Sequence, residues 1–204
     1  MLEPYLVLDF TDHRGEIGPM VLGDLGADVI RVEPPAGNVA RRQAPFVGER
    51  DSGDDLASLQ FRAYNRNKRS ILLDPTQDAD KQTLSELIVR ADFLLESWPN
   101  GPLADYGISR ETVAELNPRI VHVRLSPYGS DGPRADCAAA DLTLAAMGGP
   151  VALQGAPDRA PLRLSVPQVW RHAGVEERLA RWRRTQKEHA MGKASLWIFP
   201  RSRR

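Results

Sequence analysis

The most chemically loaded stretch of this 204-residue chain is Asn65-Arg66-Asn67-Lys68-Arg69-Ser70. Three cations and two amides in six residues, directly before a strand-like run, could grip a phosphorylated ligand. Lysine would act there as a point charge and arginine as a two-pronged donor. The same composition also describes a solvated turn, and charge alone favours the turn. His13, His122 and His172 stand apart, without the spacing of a metal site. His122 alternates with Val121 and Val123, as a structural strand residue would. Cys137 lies in an alanine-rich stretch and reads as a small buried or loop residue. Asp141, after Ala138-Ala139-Ala140, reads as a helix cap.

Secondary structure must bring such residues together. Tyr5 to Phe10 is an apolar run rich in β-formers, and Asp28 to Glu33 is a second, stopped by Pro34-Pro35. A short helix from Ile17 to Gly26 between them completes a strand–helix–strand unit. Residues 36–58 read as a long surface loop and Ser58 to Asn65 as a short helix. Arg69 to Asp74 is a third strand. Asp74-Pro75 then opens a helix, with Gln77 where a capping box wants it. Ala91 to Glu96 and Ile120 to Leu125 are further strands. Ser109 caps a helix that runs through Leu116, and Asp141 to Met147 starts another. This alternation predicts an α/β fold with a mainly parallel sheet and flanking helices.

Ligands of open parallel sheets sit beyond the carboxyl ends of the strands. The loops that follow the strands carry Arg14-Gly15, Glu33-Pro34-Pro35, Ser97-Trp98-Pro99 and Ser126-Pro127-Tyr128-Gly129. A nicotinamide-dependent enzyme would carry Gly-x-Gly-x-x-Gly in the first of these loops. Thr11 to Gly18 fails that spacing, and Glu33 at the ribose position is weak evidence alone. No phosphate loop of the Gly-x-x-x-x-Gly-Lys-Ser/Thr type occurs either.

Composition bounds the function. Lysine plus arginine and aspartate plus glutamate both number 27, which argues against a nucleic-acid partner. Hydrophobic residues at 42% and charged residues at 26% give a globular balance. A single cysteine excludes an internal disulfide framework and a multi-cysteine metal site. No apolar run reaches the roughly 18 residues of a membrane span. Met1-Leu2-Glu3-Pro4-Tyr5 lacks a basic leader, so a cytoplasmic address is expected. The neutral total hides an asymmetry: residues 177–204 carry a net charge of +7 and residues 1–176 a net −7. Residue 176 is therefore taken as a boundary.

Four stretches together resemble the class III CoA-transferases of the CaiB/BaiF type, which include formyl-CoA transferases and 2-methylacyl-CoA racemases. The first is Leu8-Asp9-Phe10-Thr11 followed by Leu22-Gly23-Asp24-Leu25-Gly26-Ala27-Asp28-Val29-Ile30-Arg31-Val32-Glu33-Pro34-Pro35. The second runs from Asn65 to Asp74. The third is Ala91-Asp92 to Glu96-Ser97-Trp98, with Gly107 and Leu116-Asn117-Pro118-Arg119-Ile120-Val121. The fourth joins Tyr128-Gly129, Gly132-Pro133, Asp141-Leu142 and Gly148-Gly149. The likeness runs over residues 5–176 and turns the reading of Asn65 to Arg69 towards ligand binding.

The resemblance implies a Rossmann-like large domain, of which residues 1–176 are the N-terminal part, so the fold is incomplete relative to the full family fold. It implies acyl-CoA and a carboxylic acid as partners and the CoA thioester as substrate, with no permanently bound cofactor or metal. It also implies a homodimer or association with a full-length homologue. In the family an aspartate attacks the thioester and passes through a mixed anhydride to an aspartyl-CoA thioester, a covalent route that divides one acyl exchange into easier steps. By the same resemblance Asn65, Arg66, Asn67 and Lys68 lie near the nucleotide and phosphates. Ser97 and Trp98 flank the CoA arm, and Ser126, Tyr128 and Gly129 lie near the thioester. Arg14 and Gly15 border the same site.

The chain departs from the family at the nucleophile. Aligning Gly174 with the family's Asp-x-x-x-Gly puts Trp170 at the aspartate position. An indole can neither attack a thioester nor carry CoA. Gln168 is not nucleophilic, and His172 could act only as a base. The racemase pattern wants a histidine where Ala140 stands, as well as the same aspartate. Some family branches read Gln-x-Trp-x-His-Ala-Gly here, as this chain does. Two readings follow: an acyl-CoA-binding transferase, or a catalytically inactive CoA-binding fragment or partner subunit. The likeness stops past Glu176, where the divergent basic tail begins.

Overall fold

A computed structural model describes residues 2–48, 57–97, 102–129 and 132–176. Trp98, the tail at 177–204 and the middle of the 36–58 loop lie outside them. Five strands form one sheet: β1 (Leu6–Phe10), β2 (Asp28–Glu33), β3 (Arg69–Leu72), β4 (Phe93–Ser97) and β5 (Val121–Leu125). Every pairing is parallel, and the order is β3-β2-β1-β4-β5. The chain thus leaves β1 in one direction to build β2 and β3, then returns to its other side for β4 and β5. The strand order reverses between β1 and β4.

Side-chain alternation assigns the two faces. Leu8, Phe10 and Leu94 point to one side and pack with Leu84 and Ile88 of α3 (Asp78–Arg90) and Val113 of α4 (Arg110–Leu116). Val7, Val29, Phe93, Leu95 and Val121 point to the other and pack with Leu22 of α1 (Ile17–Asp24). Each fully buried leucine of this kind contributes about 1.5–3 kcal/mol. Helices on both faces explain why the strands read as continuous apolar runs. Tyr106 closes the first core with its hydroxyl, which donates to the Leu73 carbonyl at 2.7 Å. Burial, with Asp105 nearby, pushes that phenol up to about 12.

Most expected elements appear with the expected caps. The Ser58 Oγ accepts from the Phe61 N–H at 3.1 Å and starts α2 (Leu59–Asn65). The Ser109 Oγ accepts from the Thr112 N–H at 3.2 Å and starts α4. Two expectations shift. The Asp74 carboxylate does not cap α3; it accepts from the Thr76 N–H and hydroxyl at 2.8 and 2.7 Å. That turn delays the helix to Asp78, because an aspartate before proline satisfies a local turn more readily than a helix start. The 36–58 stretch is also less open than a surface loop. Val39–Arg42 form a 3-10 helix with Ala40 buried, and Phe46 bridges to Ser58. Cys137 lies in a loop and is exposed.

Candidate functional site

Beside β1, the α1-side face of the sheet carries charge instead of apolar bulk. Asp9 and Arg31 are register partners on adjacent strands, and the Arg31 guanidinium donates to the Asp9 carboxylate at 3.0 Å. The Lys68 ammonium reaches the same Asp9 oxygen at 2.7 Å and the Glu16 carbonyl at 2.9 Å. Glu33, one alternation beyond Arg31, accepts from Arg41 at 2.7 and 2.8 Å, from the Asn38 N–H at 3.0 Å and from Ser70 at 3.1 Å. Burial would raise the Asp9 carboxyl, but Lys68 and Arg31 hold it below the usual aspartate range. Arg41 and Arg31 do the same for Glu33 against its own burial.

This lattice settles where the loaded turn points. The Lys68 side chain is 1% exposed, and its ammonium faces Asp9 rather than solvent. The Asn65 amide donates to the Glu16 carboxylate at 3.0 Å and accepts from Arg31 at 3.0 Å. Asn67 donates to the Met20 carbonyl at 2.8 Å and to Asp24 at 2.6 Å. A Cβ at Gly23 would meet the Asn67 amide at 2.9 Å, so the glycine permits that seat. Arg66 pairs with Asp24 at 2.8 Å on an open surface. Asn65, Asn67 and Lys68 fasten α1 and β1 to the end of α2, while Arg66 and Arg69 stay at the surface.

A cavity of about 680 Å³ opens at the carboxyl end of the sheet, where the strand order reverses. That is where such sheets bind ligands, and the size suits a small-molecule site. The Asp12 N–H donates to Ser97 Oγ at 3.1 Å and ties the exits of β1 and β4 together. The Arg14 guanidinium returns to Asp12 through Nε at 3.0 and 2.8 Å and lies over the Trp170 ring at 5.5 Å. Burial would raise Asp12, but the Arg14 hydrogen bonds and charge leave it lowered. Burial lowers His13, and its Nδ1 is enclosed without a hydrogen-bond partner. Glu16 differs: burial raises it despite hydrogen bonds from Asn65 and Gln60.

The far wall comes from late in the chain. Asp141 is the first residue of α5 (Asp141–Met147), yet its carboxylate caps a different helix. It accepts from the Gln168 and Trp170 N–H groups at 3.2 and 3.0 Å, where helical residues 169–176 begin. The cap reading of Asp141 is corrected: Ala140 is the N-cap of α5, and the Asp141 carboxylate serves the helix 27 to 29 residues on instead. That helix seats closely: a Cβ at Gly174 would lie 2.5 Å from Ile17 Cγ2.

Of the positions expected near CoA, Arg14 and Ser97 line the cavity, and so does Trp170. Gly15 packs beneath it, with Thr11 3.0 Å from where a Cβ would stand. Asn65, Arg66, Asn67 and Lys68 are absent from its wall, as are Ser126, Tyr128 and Gly129. The Ser126 hydroxyl instead accepts from the Gly129 N–H at 2.9 Å and closes a turn. His122 is structural, 3.0 Å from Glu96 in the core. Sequence reasoning missed Asp12, Glu16, Asn38 and Gln60 as wall residues. A signal existed for the lattice: Asp9 and Arg31, opposite in charge, interrupt two apolar strands at matching depths. Among the described residues no helix is long and apolar enough to cross a membrane. None of the clusters of His, Cys, Asp or Glu among them could hold a metal.

Fold and cavity together define a doubly wound α/β domain with its ligand site at the strand-order switch. The chain belongs to CoA-transferase family III, which matches residues 2–180. It is 35% identical over 161 residues to the acetyl-CoA:oxalate CoA-transferase of Acetobacter aceti, covering 78% of this chain and 40% of that one. It is 37% identical over 162 residues to the formyl-CoA:oxalate CoA-transferase of Streptomyces avermitilis, covering 79% and 38%. A CAIB/BAIF family protein from Brucella suis superimposes with a TM-score of 0.86 at 30% identity, covering 97% of this chain and 52% of that one. The chain thus spans about 40% of the length of the curated relatives it matches.

Proposed function

We propose that the switch-point cavity takes an acyl-CoA thioester and that the protein transfers CoA between an acyl-CoA and a carboxylic acid. The observation that carries this reading is the position of Trp170. The residue that the resemblance aligns with the family's nucleophile faces a cavity at the carboxyl ends of β1 and β4, beside Arg14 and Ser97. In this reading Arg14 and the Trp170 indole flank the acyl end, and the Asp12–Ser97 bridge keeps the floor closed. The CoA thioester is substrate, and no cofactor stays bound. A second copy or a full-length homologue covers the apolar side chains left open at Leu142, Met147, Leu153 and Leu162.

A second reading, binding without turnover, is favoured by the indole itself. An experiment separates the two. The purified chain is mixed with labelled acyl-CoA and a carboxylic acid, and both retained label and exchanged CoA are measured. Exchange supports the transferase; retention without exchange supports a binding subunit; neither sinks both.

A further inference from the structure

Two guanidinium groups line the cavity, those of Arg14 and Arg171, and they differ in what their donors hold. Arg14 lies over the Trp170 ring at 5.5 Å and spends its donors on Asp12, with 2.6 Å between its terminal nitrogen and Oδ2. Arg171, the residue after Trp170, lies over the Tyr64 ring at 5.8 Å. Such stacking engages the flat face of a guanidinium and leaves its N–H edges unspent. Among the described residues Arg171 makes no hydrogen bond and no ion pair. The carboxylates of the wall are committed elsewhere. Asp12 goes to Arg14, Asp141 to the N–H groups of 168 and 170, and Glu16 to the Asn65 and Gln60 amides. Asp105 is exposed on the 3-10 helix Pro102–Tyr106 and does not pair with Arg171. Arg171 is thus a half-buried cation on the wall whose charge-assisted hydrogen bonds are unmade.

We infer that Arg171 is the specificity-determining residue of this cavity and holds a second, non-reacting carboxylate on the acyl group, so that the thioester it selects is that of a dicarboxylic acid. This rests on the reading of the cavity as an acyl-CoA site. The choice between anions follows from place. Arg171 directly follows Trp170, which that reading puts at the acyl end, whereas the phosphates of CoA stand a full pantetheine arm from the thioester. The choice between acyl groups follows from charge. A thioester carbonyl is neutral, so an aliphatic acyl group brings nothing with which the guanidinium can pair. A terminal carboxylate brings two oxygens that match the fork, and the Tyr64 ring holds the guanidinium by its face while the edges meet them. An apolar acyl tail against the same wall shields those donors from water and leaves them unmatched. That is a penalty, not only a missing gain.

The test uses the whole 204-residue chain with three probes. Succinyl-CoA and butyryl-CoA share a chain length and differ in the terminal carboxylate; free CoA carries the phosphates alone. Dissociation constants are measured by equilibrium dialysis for the wild type, Arg171→Gln and Arg171→Lys. The wild type is expected to bind succinyl-CoA about tenfold more tightly than butyryl-CoA. Arg171→Gln should lose that preference through weaker succinyl-CoA binding, with butyryl-CoA and free CoA within about twofold of wild type. Arg171→Lys keeps the charge without the fork and should fall between the two. Unchanged butyryl-CoA binding also shows that a variant is folded. Where Arg171→Gln fails to fold, the wild-type preference and its reduction in Arg171→Lys decide. Equal affinity of the wild type for the two thioesters overturns the assignment and leaves the cavity reading intact. So does a preference that survives in Arg171→Gln, or a loss that free CoA shares in a variant of unchanged circular dichroism. Binding of none of the probes by the wild type removes the cavity reading and this assignment with it.

Discussion

Asp9 and Asp12 lie three residues apart, and both accept from cations, yet they belong to opposite regimes. Asp9 is fully enclosed and shares one oxygen between Arg31 and Lys68 inside the sheet face. Asp12 sits just past the strand end, its side chain 17% exposed, and its Arg14 partner faces an open cavity. The difference is one of register. Asp9, Arg31 and Glu33 within β1 and β2 are flanked by neighbouring strands and covered by helices, so their charges are satisfied inside the fold, by each other and by Lys68, Asn65 and Arg41. Residues one step beyond the strand end face a crevice that the topology leaves open. Charge and residue type are the same on both sides of Thr11; the strand terminus decides which is structural and which is available.

The sharpest way to break this contrast is Lys68→Ala. Removing one partner from a buried ion network leaves a charge uncompensated, and a loss of about 3 kcal/mol is expected in chemical denaturation. A variant that keeps its stability but loses CoA affinity would move Lys68 to the cavity side of the divide. Gly174→Ala tests the seating of the far wall. Its Cβ would press on Ile17 and the Gly18 backbone, which should cost about 2 kcal/mol in thermal unfolding. Asp141→Ala removes a helix cap and should cost about 1 kcal/mol, with a change in Trp170 fluorescence as the helix start loosens.

The pH signatures cut across that divide. Asp9, Asp12 and Glu33 sit below their ordinary values, so their stabilisation is present above the unfolded carboxylate range and is lost as pH falls through the folded values. Glu16 is raised, so its contribution is complete below the ordinary glutamate value and is lost as pH rises through the folded one. Melting curves of Glu16→Gln should therefore lose the decline towards alkaline pH while keeping the acid limb. An unchanged alkaline limb would contradict that. The smallest effect belongs to Arg66→Ala, whose ion pair with Asp24 is half open to solvent. A shift within about 0.5 kcal/mol is expected in the same unfolding assay.

The sheet was legible because most of its strands are short runs rich in Val, Leu, Ile and Phe. β2 begins and ends where the pattern placed it, α5 begins where expected, and Ser58 and Ser109 cap as expected. The site was less legible. Arg14, Ser97 and Trp170 were marked by their place after strands or in the family alignment, and all three line the cavity. Asn65 to Lys68 were marked by the family resemblance, charge alone favouring a turn, and neither signal says whether an opposite charge waits on a neighbouring strand. Glu16 was missed because a single acid at a helix start looks like surface chemistry. Only the approach of α2 from one side and the helix at 169–176 from the other encloses it. Such long-range closure has no local signature.

One consequence of the Asp141 carboxylate remains. It joins the first residue of α5 to residues 168 and 170, so the chain from 142 to 167 closes on a fixed clasp. Closing a longer excursion costs little, about 0.6 kcal/mol for each doubling. That stretch is therefore free to lengthen or shorten without shifting Trp170.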